Sequence, residues 1–423
     1  MKTLLNKIAL IFQDKVLRKR VLFTLVALIV FRLLATIPIP GVDAIKLQGL
    51  LANNEFLGLL NIFSGGGLSN LSIIMLGVGP YITSSIIMQL LTIMSPRLKA
   101  LYQDEGEAGR MKFSQYSRIL TVPLAFVQAF SFLAILKGQG ILGGLSLTDQ
   151  TINVLVITAG SLLIMWIGEL MTEYGVGNGV SLLIFAGIVA TLPTTISQLI
   201  FTFDPSQIPV YLAFFVVIIL VTAGVVVVTE AERPIPVTYA KRVRGMKVYG
   251  GVSTYLPLRV NQAGVIPIIF ALSLLLFPQM ILRFFANFAN PVVKSVSSYI
   301  LDLLANGWVY AVLYFLLVFV FTYFYTAVTF DPDSISTNLQ KGGAFIPGVR
   351  PGQPTSDYIA KILTRLTLVG ALFLGAIAVL PLIIRAVTGI TAFAIGGTAL
   401  LIVVSVVIDL IKKIDAQVSI REY

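Results

Sequence analysis

The stretch LLNIFSGGGLSNLSIIMLGVGPYITSSIIMQLLTIM, residues 59–94, is apolar over more than the length of a membrane span, yet glycine interrupts it twice. Gly65, Gly66 and Gly67 come first, then Gly77, Gly79 and Pro80. Glycine and proline at this density oppose one straight helix. The residues predict a short helical segment from about Leu68 to Met75, then a second helix opening near Pro80, where proline's missing N–H is no loss. Irregular backbone at membrane depth survives only when buried in protein or lining an aqueous cavity. This segment therefore belongs inside a helix bundle, as a structural kink, a substrate site, or a gate or plug.

Working outward, the rest of the chain repeats the apolar theme. Hydrophobic residues make up 57% of the 423, charged residues 12%, and mean hydropathy is +0.94. A bilayer crossing takes roughly 20 apolar residues. Ten such segments are predicted, at 21–39, 68–94, 119–137, 152–171, 178–200, 209–229, 262–282, 308–330, 359–383 and 390–411. The fold class is an all-α polytopic membrane protein. An even number of crossings puts both termini on one side, and 24 of the 30 Lys and Arg residues fall in the arms and loops of that side. Positive loops stay in the cytoplasm, so both termini are expected there, with residues 1–20 as a basic, amphipathic surface segment and 412–423 as a tail.

The composition also excludes chemistry. There is no cysteine and no histidine, so disulfides, thiolate catalysis and the usual neutral-pH proton carrier are absent. The chain has no phosphate-binding lysine loop, no dinucleotide fingerprint and no HExxH, and no cofactor or metal is expected. Asp104, Glu105 and Glu107 read as solvated surface. Arg32, Glu169, Glu173, Arg283 and Arg385 stand near predicted span ends, where long side chains reach the interface.

Two cytoplasmic loops, 230–261 and 331–358, are longer than neighbouring helices need. In the first, β-branched and aromatic residues around Arg244 and Gly245 predict a short hairpin whose tip carries Lys241, Arg242, Arg244 and Lys247. Such a cluster serves orientation, or docks phosphate or acidic protein. Aliphatic pairs at helical spacing, Ile82 with Ile86, Val180 with Ile184 and Ile266 with Ile269, read by themselves as packing.

Six ordered blocks carry a further, specific signal: LGVGPYITSSIIMQLLT (76–92), GVGNGVSLLIFAGIVA (175–190), TEAERPIPVTYAKR (229–242), LPLRVNQAGVIPIIFA (256–271), GGAFIPGVRPG (342–352) and GGTALLIVV (396–404). Together they resemble the SecY family, the large subunit of the bacterial protein-conducting translocon, over essentially the whole chain. The resemblance implies two inverted five-helix halves, 21–200 and 201–411, with a broken second helix and a lateral gate between spans two and seven. It implies a pore ring of Ile82, Ile86, Val180, Ile184, Ile269 and Ile402, with Ile266 close by. It also implies a plug within 61–75 that includes Gly65, Gly66, Gly67, Leu68 and Leu71.

The function so implied is passage of unfolded, signal-bearing polypeptides across the bacterial cytoplasmic membrane, with lateral release of hydrophobic segments into the lipid bilayer. Drive would come from a ribosome or a SecA-like ATPase docking at Lys241, Arg242, Arg244, Lys247 and Arg350. SecE-like and SecG-like membrane subunits would complete the assembly. Met246, Val252, Tyr255 and Arg259 depart from the more familiar family pattern, and Val180 replaces a usual isoleucine. The alternatives are a secondary transporter of small solutes with a broken-helix site, and a structural assembly subunit.

Overall fold

The computed structural model describes residues 14–40, 61, 64–103, 105–138, 146–201, 205, 208–239, 242–244, 247–249, 253–285, 291–388 and 392–419. Ten of its helices fall on the ten predicted spans: α1 (Lys15–Leu34), α2 (Gly79–Met94), α4 (Gly106–Gly138), α5 (Leu147–Tyr174), α6 (Gly179–Phe201), α7 (Ile208–Glu230), α8 (Ile266–Phe285), α10 (Gly307–Thr329), α12 (Gln353–Thr388) and α13 (Ala392–Ser419). Three shorter helices were not anticipated: α3 (Pro96–Gln103), α9 (Pro291–Ala305) and α11 (Pro332–Lys341). Among the described residues, α4, α5, α7, α10 and α12 are long and apolar enough to cross a membrane on their own, while α2, α6 and α8 carry shorter apolar runs.

Local chemistry sets the helix starts. Asp14 accepts from the Val16 N–H at 2.8 Å to open α1, and Ser146 with Asp149 forms a capping box at α5. Asn306 and Asp331 cap α10 and α11 in the same way, by accepting N–H donors that have no partner within the helix. Helix α7 shows why the composition is so apolar. Leu212, Phe215, Ile219, Leu220 and Val227 stand exposed, and Val225 is its one buried residue. Such a surface is stable against lipid, not water.

Residues 64–78 correct one expectation. They form a chain of tight turns instead of a helix from Leu68 to Met75. Leu71 has φ of 45°, Gly66 81° and Gly77 54°, conformations a right-handed helix of L-residues does not contain. The cause is pairing with the strand-like segment after α1: Ile39 N–H donates to Leu71 O at 2.8 Å, and Ile73 N–H to Ile37 O at 3.0 Å. Those two bonds flank a bridge between Pro38 and Ser72. The turns bury their apolar side chains almost completely, with Leu68, Leu71, Ile74 and Met75 among the most enclosed in the molecule.

The two long loops meet in one sheet of order β4–β1–β5. Strand β1 (Glu232–Tyr239) pairs antiparallel with β4 (Ser253–Arg259), and β5 (Ala344–Phe345) from the second loop adds to β1 at Thr238 and Tyr239. Pro234 and Pro236 lie outside the stretch that β5 covers, so their missing donors do not break that pairing. Ile235, Val237, Leu258, Ala344 and Ile346 form a small apolar core with Ile359 and Ile362 of α12. The anticipated hairpin is present as β2 (Arg242–Arg244) and β3 (Lys247–Tyr249), with Arg244 opposite Lys247.

Candidate functional site

A cavity of about 1000 Å³ opens between α2, α4, α5, α6, α8 and α10. Ile82, Val180, Ile184, Ile266 and Ile269 give it an aliphatic side, and Tyr81, Gln89, Arg118 and Glu169 stand on its polar side. Of the residues assigned to the ring, Ile82, Val180, Ile184 and Ile269 are thus brought to one space. Ile86 and Ile402 are buried in the surrounding apolar core and are not on that cavity's wall.

Helix α6 fixes where the turn-rich segment lies relative to this cavity. Val180 and Ile184 line the cavity. Further along the same helix, Gly187 Cα lies 3.2 Å from the point a Cβ on Gly65 would occupy, and Thr191 Cγ2 lies 3.9 Å from the equivalent point on Gly66. Seven residues of helix separate Ile184 from Thr191, a rise of about 10 Å. Residues 64–67 therefore sit past the aliphatic side of the cavity, one to two turns along α6.

The segment is seated by close packing and a few polar bonds. Arg32 Nη1 donates to Gly65 O at 2.9 Å, and Ser161 Oγ donates to Gly77 O at 2.9 Å. Leu68 N–H donates to Ser64 Oγ at 3.0 Å, and Asn70 Nδ2 to Ala35 O at 3.3 Å. Glycine is required at two contacts: a Cβ on Gly65 would lie 2.4 Å from Phe31 Cζ, and one on Gly160 would lie 2.0 Å from Ile73 O. The Ser72 hydroxyl is buried without a hydrogen-bond partner, so this packing is compact without being fully satisfied.

On the polar side, Arg118 Nε donates to Glu169 Oε1 at 2.6 Å and ties α4 to α5. Charge-assisted pairs of this kind are strong when partly shielded, and the Glu169 side chain is 16% exposed. Sequence reading placed Glu169, with Glu173, at a span end near the interface; nothing in local spacing announces a partner 51 positions away. The Arg32 contact with Gly65 was hidden for the same reason.

The loop cations are placed unevenly. Arg350 is exposed in the turn between β5 and α12, where its carbonyl accepts from Thr355 Oγ1 at 2.8 Å. Arg242 and Arg244 lie on β2 and Lys247 on β3; Lys241 lies outside the described residues. Helix α8 packs against α2 and α4, and α13 packs against α6, so the two parts of the chain meet around the cavity.

A multi-span helix bundle around an internal cavity, with non-helical backbone packed inside it, defines a polytopic membrane channel or transporter. The SecY family model matches residues 72–411. The protein translocase subunit SecY of Mycobacterium tuberculosis is 43% identical over 429 residues, covering 96% of each chain. That of Streptomyces coelicolor is 41% identical over 439 residues, covering 99% of each. Two solved structures share the fold at low identity. One, described as "The structure of a protein conducting channel", has a TM-score of 0.64 at 20% identity over 95% of this chain and 92% of that one. The other, "Sec61 in the Canine ribosome-channel complex from the endoplasmic reticulum", has a TM-score of 0.61 at 19% identity with the same coverage. The chain belongs to the SecY family and is a protein-conducting channel, which removes the small-solute transporter alternative.

Proposed function

We propose that Ile82, Ile86, Val180, Ile184, Ile269 and Ile402 form the constriction through which an unfolded polypeptide passes, and that Gly65, Gly66, Gly67, Leu68 and Leu71 belong to the plug that seals it at rest. One observation carries this reading: α6 presents Val180 and Ile184 to the cavity and, farther along, Gly187 and Thr191 to residues 65 and 66. An aliphatic ring offers no substitute for an ion's hydration shell, so it opposes leakage by dewetting, while its side chains yield to an extended chain. Lateral release occurs where α2 and α8 separate. A client segment leaving there gains about 25 cal/mol per Å² of apolar surface buried in lipid.

In this reading both termini and the loops 230–261 and 331–358 are cytoplasmic, and the membrane is the bacterial cytoplasmic membrane. The resting channel is passive. A SecA-like ATPase or a ribosome supplies drive through Lys241, Arg242, Arg244, Lys247 and Arg350, and SecE-like and SecG-like subunits brace the bundle. The loops support this by presenting basic residues on a folded platform, since β5 joins the Arg350 turn to the sheet that leads into the β2–β3 hairpin.

The test is reconstitution with the small subunits and the motor, comparing the natural chain with one in which residues 65–72 are replaced by a short flexible linker. Resting ion conductance is expected to rise at least tenfold in the variant, with signal-bearing clients still becoming protease-protected. Unchanged conductance together with unchanged signal dependence would overturn the plug assignment.

A further inference from the structure

Helix α9, PVVKSVSSYILDLLA, joins α8 to α10 and packs on both. Its residues divide into three faces. Ser297 is buried, with Val293, Ile300 and Leu304 half-buried beside it. Lys294, Ser295 and Asp302 are exposed and polar. Val296, Tyr299 and Leu303 are exposed and apolar, Tyr299 by 72%. At about 100° per residue these three fall within about 60° of one another, and they are a separate stripe from the packed face.

What covers that stripe is indicated by the next helix. Only Leu304, Ala305, Asn306 and Gly307 separate Leu303 from Trp308, 70% exposed at the start of α10. Asn306 Oδ1 accepts from Trp308 N–H at 3.1 Å and fixes the turn between the helices. From Trp308 the exposed residues Val312, Leu316 and Val320 continue down a membrane-crossing helix at intervals of four, so this side of α10 faces lipid. The apolar stripe of α9 thus ends within a few residues of the exposed apolar face of a membrane-crossing helix, which makes lipid its nearest apolar partner. An exposed tryptophan at the junction is typical of the headgroup level. A helix with one apolar stripe, one polar face and a tryptophan neighbour is suited to lie in the interface plane.

We propose that α9 is an interfacial helix whose Val296, Tyr299 and Leu303 side chains are seated in the bilayer leaflet on the side where α8 ends and α10 begins. It anchors to lipid the end of the helix that carries Ile266 and Ile269. The occupant is the boundary between headgroups and acyl chains, with Lys294, Ser295 and Asp302 left toward water and headgroups.

The chain contains no cysteine, so single cysteines at residues 295, 296, 299, 302 and 303 report their own sites. Each is introduced into the full chain, spin-labelled, and reconstituted in phosphatidylglycerol and phosphatidylethanolamine vesicles with and without the small subunits. Collision with molecular oxygen and with a water-soluble nickel chelate is then measured. Labels at 296, 299 and 303 are expected to favour oxygen over nickel at least threefold more than labels at 295 and 302, with or without subunits. Equal nickel access at all five sites overturns the proposal. So does shielding of the stripe from both reagents, the mark of a protein partner or a second copy. Because collision reads docking and not transport, a translocating protein whose stripe labels sit in water defeats this inference alone and leaves the pore reading intact.

Discussion

Gly160 shows how a single missing methyl group lets a helix and a run of turns pack against each other. Helix α5 approaches the turn-rich segment so closely there that a Cβ would lie 2.0 Å from Ile73 O, and backbone cannot yield as a flexible side chain can. Next to it, Ser161 bonds Gly77 O, so helix and turns are joined at one point by contact and by hydrogen bond. A Gly160→Ala substitution must push the two apart. Overpacking of this kind costs about 1–3 kcal/mol. If it falls wholly on the seated state, the unseated population grows about 5- to 150-fold. The expected result is a several-fold rise in resting ion conductance in planar bilayers, with a smaller effect of Ser161→Ala, which removes a bond without adding volume. A Gly160→Ala channel as tight as the natural one would show that 64–78 is not the seal.

At the scale of elements, the sheet that joins the two long loops carries the next expectation. Ala344 pairs with Tyr239 across the junction of β5 and β1 and is 4% exposed in the small core above α12. Ala344→Glu would bury an unpaired carboxylate at a cost on the order of several kcal/mol, more than a two-residue strand can resist. Loop 331–358 is expected to become protease-sensitive and motor-driven transport to fall, while the amount of protein inserted in the membrane stays the same. The elements themselves were readable to different depths. Ten apolar runs produced ten helices because lipid imposes one backbone solution on any long apolar segment. The break after Gly67 was legible too, since glycine and proline mark it, but its form was not. Leu71 adopts a left-handed conformation where Ile39 bonds its carbonyl and Ile37 bonds Ile73, partners from another part of the chain. Strand β5 is two residues long and far from β1 in sequence, below what alternation can signal. Ile82, Val180, Ile184 and Ile269 were picked out by resemblance; their spacing fits ordinary packing equally well, and only the cavity sets them apart from Ile86 and Ile402.

For the whole molecule, the roles proposed for the cavity, the turn-rich segment and the loops make separable outcomes. Arg350 is exposed in a turn anchored by Thr355, whose hydroxyl bonds the Arg350 carbonyl and not its guanidinium, so reversing its charge should spare the fold. Charges at the rim of a docking surface act mainly on association and its salt dependence. Arg350→Glu is therefore expected to lower motor-driven translocation about tenfold at low ionic strength, with the difference narrowing as salt rises and resting conductance unchanged. A photo-crosslinker at Ile184 addresses the other half of the design. During active export it should capture the moving polypeptide, because Ile184 faces the cavity, whereas the same probe at Leu316 on the exposed side of α10 should capture lipid. With Arg350→Glu the Ile184 adduct should fall in proportion to transport and the Leu316 adduct should not change. Polypeptide captured at Leu316 and never at Ile184 would place the route outside the cavity, since an unfolded chain passing between α2, α6 and α8 cannot avoid the side chain that projects into that space.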